Sequence, residues 1–236
     1  MTPRPLARTR RNAARMVLAL GLLGLAGGCD PRSLVYFLQP FEQTIKPPCP
    51  SLKGKKVVIL TYAAAGPRTE IQSIDQDLAS GLARILRQEV KRIEIVPQDK
   101  VQIWADAHPH YTSPSEAGLA FDADIVIFLE IEQYSTRDRL SPGMLSGSSR
   151  VHVQVHELKL PTDDRGKPIE GQPRVSEVIH DDFVETIFPR VQGSFPIDSS
   201  INPTSFGKKF FDLVVTEVSW HFVNHAPGDN IQDTNF

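Results

Sequence analysis

Four consecutive apolar residues, Val57-Val58-Ile59-Leu60, constrain the fold of this chain more than any other feature. A strand carries an unbroken apolar run only where both of its faces are covered, as in the interior of an α/β sheet. The run sits in KKVVILTYA (55–63) and is followed by EIQSIDQDLASGLARILRQEVKR (70–92). There Ile74, Leu78, Leu82, Ile85, Leu86 and Val90 recur at three- and four-residue steps, the stripe of an amphipathic helix. Ser73 and Gln76 have the spacing of a capping box, and Arg87, Lys91 and Arg92 crowd the last turn, where the helix dipole favours cations. Ile93-Glu94-Ile95-Val96 is then a second strand. Strand, helix and strand in this order predict a βαβ unit with a right-handed crossover and two parallel strands.

Downstream, QDKVQIWADAH (98–108) reads as a short helix, and Ser113-Pro114-Ser115-Glu116 carries the start signals of another. Ile125 to Leu129 is a solid apolar strand that passes into the alternation Glu130-Ile131-Glu132. VHVQVHELKL (151–160) alternates apolar with polar and pairs with it as an antiparallel hairpin, across a Gly/Ser-rich connector at 140–149 suited to a mobile loop. VSEVIHDDFVETIF (175–188) is an edge-like strand, and residues 205–225 form a closing helix with Phe206, Phe210, Leu213, Val214 and Val218 on one side. The expected fold is α/β: a mixed sheet of about four or five strands, made of a parallel βαβ pair and an antiparallel hairpin, with helices packed on it.

The first residues follow a different logic. Residues 1–28 hold Arg4, Arg8, Arg10, Arg11 and Arg15 and no acid, and Met16 to Gly28 contains no charge. A basic stretch, a short apolar stretch and a small-residue exit make the pattern of a secretory signal. A thirteen-residue helix rises only about 20 Å, short of the ~30 Å hydrocarbon core. Leu25-Ala26-Gly27-Gly28-Cys29 resembles the lipobox of bacterial lipoproteins, with Ala26 at the position where that family commonly has Leu. The resemblance implies signal-peptidase recognition of Leu25 to Gly28, cleavage before Cys29, and diacylglycerol with further acyl chains such as palmitate on Cys29. Several acyl chains at about 0.8 kcal/mol per buried methylene hold a protein firmly, whereas one is marginal.

The expected organisation is a signal peptide at 1–28, a lipidated Cys29 with a Pro-rich tether through 54, one α/β domain over 55–226 and a disordered tail at 227–236. Pro31, Pro40, Pro47, Pro48 and Pro50 favour extended backbone in the tether. Loss of the five N-terminal arginines leaves 21 basic side chains against 28 acidic, a formal net of −7. That balance argues against a nucleic-acid partner and against electrostatic attraction to anionic lipid. Cys49, the second of two cysteines, is left without a partner if Cys29 is acylated; if it is not, a Cys29–Cys49 disulfide becomes open to the chain.

The order of elements over 55–225, with Ala123-Asp124 ahead of the long strand, resembles one group of envelope proteins: the periplasmic TolB N-terminal domain, the curli-secretion lipoprotein CsgG and the lipoprotein activators of penicillin-binding proteins. The resemblance implies a TolB N-terminal-like fold and a non-enzymatic role in binding or assembly.

No G-x-S-x-G elbow, Walker A loop, dinucleotide glycine fingerprint or H-E-x-x-H motif occurs in the domain. Of the seven histidines, His221 and His225 are four apart, so on the closing helix they share a face and could both reach one metal, although two ligands do not make a site. His108 and His110 flank a loop proline, His152 and His156 share one strand face with Gln154, and His180-Asp181-Asp182 lacks the looped spacing of a calcium site. The expectation is therefore no catalytic residue, no metal and no cofactor. It points to a membrane-anchored lipoprotein, facing the periplasm or exterior, that acts as a non-catalytic component of the cell envelope with an envelope protein as partner. The alternatives are a metal-dependent envelope hydrolase, which requires His108 or His110 to converge with His221 and His225, and a small-ligand-binding domain.

Overall fold

The computed structural model describes residues 44–63, 74–163, 165–167, 169, 171–190, 193–197 and 201–227. The signal segment, the lipobox residues Leu25 to Gly28, Cys29, Ser73 and the expected tail from 228 onward lie outside these residues.

Strand β1 (Lys56–Ala63) contains the apolar run, and Val57 to Leu60 are each no more than 2% exposed. Helix α1 (Ile74–Glu89) buries Leu78, Leu82 and Leu86 along the expected stripe, with Ala79 and Ala83 beside them. Asp75 and Asp77 in its first turn and Arg87 in its last complement the dipole. The chain returns as β2 (Glu94–Ile95), parallel to β1, which completes the βαβ unit. Two short helices follow, α2 (Gln98–Ala107) and α3 (Ser115–Ala120). At the start of α3 the Glu116 carboxylate accepts from the Thr112 and Ser113 N–H groups at 2.9 and 3.2 Å, and Ser113 Oγ accepts from Ser115 N at 3.3 Å. This is the reciprocal capping foreseen in Ser-Pro-Ser-Glu.

Then come β3 (Ile125–Arg137), β4 (Met144–Lys159), β5 (Val175–Phe188), β6 (Phe195–Pro196) and α4 (Pro203–Ser219). Asn202 caps α4 by accepting from Thr204 N at 2.8 Å, with Pro203 in the first turn where its missing N–H does no harm. The strands form one mixed sheet in the order β2-β1-β3-β4-β5, with β6 paired to β4. Both neighbours of β1 run parallel to it, and all pairs beyond β3 are antiparallel. The fold is thus the expected mixed α/β sheet with helices packed on it.

Alternation assigns the two faces. Val57, Ile59, Ile127, Leu129, Val151, Val153 and Val155 meet α1 and α4 in the main core, around Phe206 and Phe210. Val58, Leu60, Val126 and Leu158 meet α2 and α3 on the opposite face through Val101 and Ala117. That second cover is small, and among the described residues no helix packs on the same side of the outer strands.

Two expectations change. The tether does not run to 54. Ile45 and His225 exchange backbone hydrogen bonds at 2.8 and 3.1 Å, and Cys49 N donates to His221 O at 3.1 Å. Cys49 and Leu52 are 4% and 2% exposed within the main core, so the domain drawn at 55–226 includes residues from 44. Prolines bar a helix there but leave extended backbone free to pair with the chain end. Nor is 140–149 a loop throughout: β4 begins at Met144, and the turn is confined to 138–143, where Asp138 Oδ1 accepts from the Leu140 and Ser141 N–H groups at 2.8 and 2.9 Å. Gly147 belongs to the strand because a Cβ on it would lie 2.4 Å from the Phe210 ring.

Candidate functional site

Among the described residues, the strongest gathering of chemical groups lies where the edge strand β5 meets the end of the closing helix. In β5 the register with β4 shifts, Val155 pairing with His180 and His156 with Val178, so Ile179 is an inserted residue. From His180 onward the even-numbered residues point to the helix side, and Val184, Thr186 and Phe188 are buried there. His180 and Asp182 therefore share that face. Helix α4 stops at Ser219, and the chain turns through Trp220 and His221 before Phe222 and Val223 are buried again.

This turn places His221 Nδ1 2.8 Å from His180 Nε2, with ring centroids 5.0 Å apart and planes inclined by 58°. Asp182 joins them: one ligating atom from each of the three residues lies within 4.8 Å of the others. Asp182 Oδ1 accepts from Phe183 N at 2.8 Å. Burial lowers the pKa of His221, and the neighbouring His180 and His225 reinforce this while Asp182 opposes it. This direction favours the neutral imidazole over the charged one. A cleft of about 380 Å³ opens beside it, lined among others by Pro48, Val184, Glu217, Trp220 and His225. Glu217, almost fully buried, accepts from Thr186 Oγ1 and pairs with Arg190.

The opposite face of the same strands carries a polar ladder. His152 Nε2 lies 2.6 Å from Asp181 Oδ1 and its ring stacks on Phe183 at 4.3 Å. Gln154 donates to Asp181 Oδ2 at 3.2 Å. Arg150 reaches Glu132 at 2.9 Å and Glu185 at 3.2 Å while lying 4.4 Å over the Phe183 ring. Exposed pairs of this kind contribute only about 0–1 kcal/mol each. The expected sharing of a face by His152, Gln154 and His156 holds, but His156 is buried, with Nδ1 3.3 Å from Ser176 Oγ.

The convergence required by the hydrolase alternative does not form. His108 Nδ1 turns back to Trp104 O at 2.8 Å and its ring stacks on Trp104 at 4.8 Å, while His110 is exposed. His221 and His225 do not share a helix face, because α4 ends before both; His225 stacks on Trp220 at 4.5 Å and its Nδ1 pairs with Ala226 O. Trp220 is half-buried beside the cleft rather than part of the core. Cys49 is a free, buried thiol whose pKa burial pushes up to about 12, which makes it a poor nucleophile. In the sequence His180 and Asp182 belong to one run and His221 stands apart from it, so their union is not visible there. The only trace was the His-x-Asp step on a strand, and its partner stands 41 residues away.

No protein-family model and no curated protein sequence matches this chain. Solved structures resemble it at low identity. One is a PelC dodecamer subunit from Paraburkholderia phytofirmans, 14% identical over 78% of this chain and 97% of its own, with a TM-score of 0.37. Another is the hypothetical protein CT253 from Chlamydia trachomatis, 16% identical over 72% of this chain and 97% of its own, with a TM-score of 0.41. A third is the lipoprotein GNA1162 from Neisseria meningitidis, 11% identical over 72% of this chain and 99% of its own, with a TM-score of 0.34. With TM-scores below 0.5, these likenesses transfer no activity, ligand or partner to this chain.

Proposed function

We propose that this chain is an exported bacterial lipoprotein, acylated on Cys29, whose α/β domain is a non-catalytic binding or assembly component of the cell envelope. The observation that carries this reading is the N-terminal pattern: five arginines, an uncharged stretch from Met16 to Gly28, and Cys29 directly after Ala26-Gly27-Gly28. Among the described residues no helix is long and apolar enough to cross a membrane.

The mechanism is tethering. With the body beginning by Thr44, residues 30–43 span at most roughly 50 Å when extended. Confinement within that reach of the bilayer raises the effective concentration of the domain for a neighbouring envelope protein. The resemblance of residues 55–225 to the TolB N-terminal and curli-secretion group supports a role in protein contacts rather than in turnover.

The test is metabolic labelling with a clickable fatty acid together with mass spectrometry of the N-terminus. The expected result is label on the intact protein, an N-terminus at Cys29 carrying diacylglycerol, and a Cys29→Ala variant that is unlabelled and leaves the membrane fraction. A purified protein that keeps Met1, or an unmodified thiol at position 29, overturns the proposal. Affinity purification from detergent-solubilised envelopes, with Cys29→Ala as control, then identifies the partner.

A further inference from the structure

We propose that His180, Asp182 and His221 form a binding site for a divalent transition metal, with zinc(II) the best match, which staples the free edge strand to the turn that follows α4. Two imidazole nitrogens and one carboxylate are a ligand set that zinc takes readily, whereas the hard ions calcium and magnesium take oxygen ligands almost alone.

The spacing is close to what a metal demands. Zinc bonds of about 2.0–2.2 Å at tetrahedral angles hold donor atoms roughly 3.3–3.5 Å apart. Here the two imidazole nitrogens are 2.8 Å apart and all three donors lie within 4.8 Å of one another. The histidines need only part slightly, and Asp182 needs only to swing inward, movements that side-chain rotation supplies.

The backbone beneath the donors is fixed. His180 and Asp182 sit two apart on a paired strand, opposite Val155 and Val153 of β4. His221 is pinned from both sides, since its carbonyl accepts from Cys49 N at 3.1 Å and the next two residues, Phe222 and Val223, are buried. The set therefore joins three stretches that are distant in the chain: the segment around Cys49, the outer strand, and the end of the closing helix. Three protein ligands also leave a fourth tetrahedral position for water or for a donor brought by a bound partner.

The metal-free arrangement offers its own competing account, a plain hydrogen bond between the two rings. Calorimetry of chelator-stripped full-length protein with zinc chloride separates the two. The expected result is one zinc per chain and, at a hundredfold excess over the dissociation constant, a melting temperature raised by roughly 5–10 °C. His180→Gln, His221→Gln and Asp182→Asn should each weaken binding by about tenfold or more, while His110→Gln, in an exposed loop, leaves it unchanged. Cobalt(II) should give a visible tetrahedral absorption band that the same three variants lose. Asp182 is exposed and Asn is isosteric, so that variant keeps the fold even if a histidine change does not. Absence of zinc binding at micromolar concentrations, or equal loss in His110→Gln, overturns the proposal. Both readouts are independent of Cys29, so failure here leaves the lipoprotein reading standing.

Discussion

The two halves of the sheet differ in how they are covered. In β1 and the first half of β3, helices press on both faces, and Val57 to Leu60 and Ile125 to Leu129 are almost wholly apolar. Toward β5 the described residues put no helix on one face and no neighbour at the strand edge, and the sequence there switches to alternation, with His180, Asp181, Asp182, Glu185, His152 and Arg150 close together. The covered half supplies the stability, since each fully buried aliphatic side chain is worth about 1.5–3 kcal/mol. The open half cannot bury enough to matter as much, but it can hold ionisable groups at the surface in fixed positions. Structure is concentrated at one end of the sheet and chemistry at the other.

A matched pair of truncations is the harshest test of that division. Phe210, on α4, is fully buried on the covered face and packs against Tyr134 at 5.1 Å, whereas Phe183 is 41% exposed on the opposite face. Phe210→Ala should cost about 3–5 kcal/mol, lowering the melting temperature by roughly 8–15 °C. Phe183→Ala removes the same atoms and should cost less than about 1 kcal/mol, because only its contacts with His152 and Arg150 are lost. Equal costs in chemical denaturation would end the comparison. A smaller effect, about 1–3 kcal/mol, is expected for Gly147→Ala, whose new methyl group would meet the Phe210 ring at 2.4–2.7 Å. Combined with Phe210→Ala it should cost less than the sum of the two, since the ring it strikes is then gone; additive costs would deny the contact.

The covered half was also the legible half. An unbroken apolar run, a stripe at helical spacing and a second short apolar run are local signals, and together they placed β1, α1 and β2 with their parallel pairing. The stripe on α4 was read correctly, although its end was not, because His221 and His225 follow a turn that only packing around Phe222 and Val223 imposes. Gly147 misled for a related reason: a glycine required by a close neighbour is indistinguishable in sequence from one required by a loop. Residues 44–54 were assigned to a tether because prolines dominate the composition, while the pairing of Ile45 with His225 joins positions far apart in the chain. The cluster of His180, Asp182 and His221 was invisible for the same cause. Each residue had a bland local explanation, and only the approach of β5 to the end of α4 joins them.

His156 stands at the seam between the two halves, and it provides the mildest and most specific test. It lies on β4 at the border of the second cover and is 7% exposed, and its Nε2 is buried without a hydrogen-bond partner. Burial lowers its pKa, with Asp181 opposing. An unfolded chain protonates histidine near pH 6.5. Above that value both states are neutral and pH changes nothing. As pH falls through it, the unfolded chain takes up a proton that folded His156 refuses, so stability declines until the pH drops below the folded value. Burial of His221 acts in the same direction, so both contribute to the slope of unfolding free energy between pH 7 and 5. The depressed carboxylates Glu116, Glu157 and Asp181 lose their contributions at lower pH, which keeps the window clear. His156→Gln should flatten the slope by no more than one proton, about 1.4 kcal/mol per pH unit. If the variant keeps the original slope, the seam is wetter than its burial implies, and the boundary between the covered and open halves must be drawn nearer to β3.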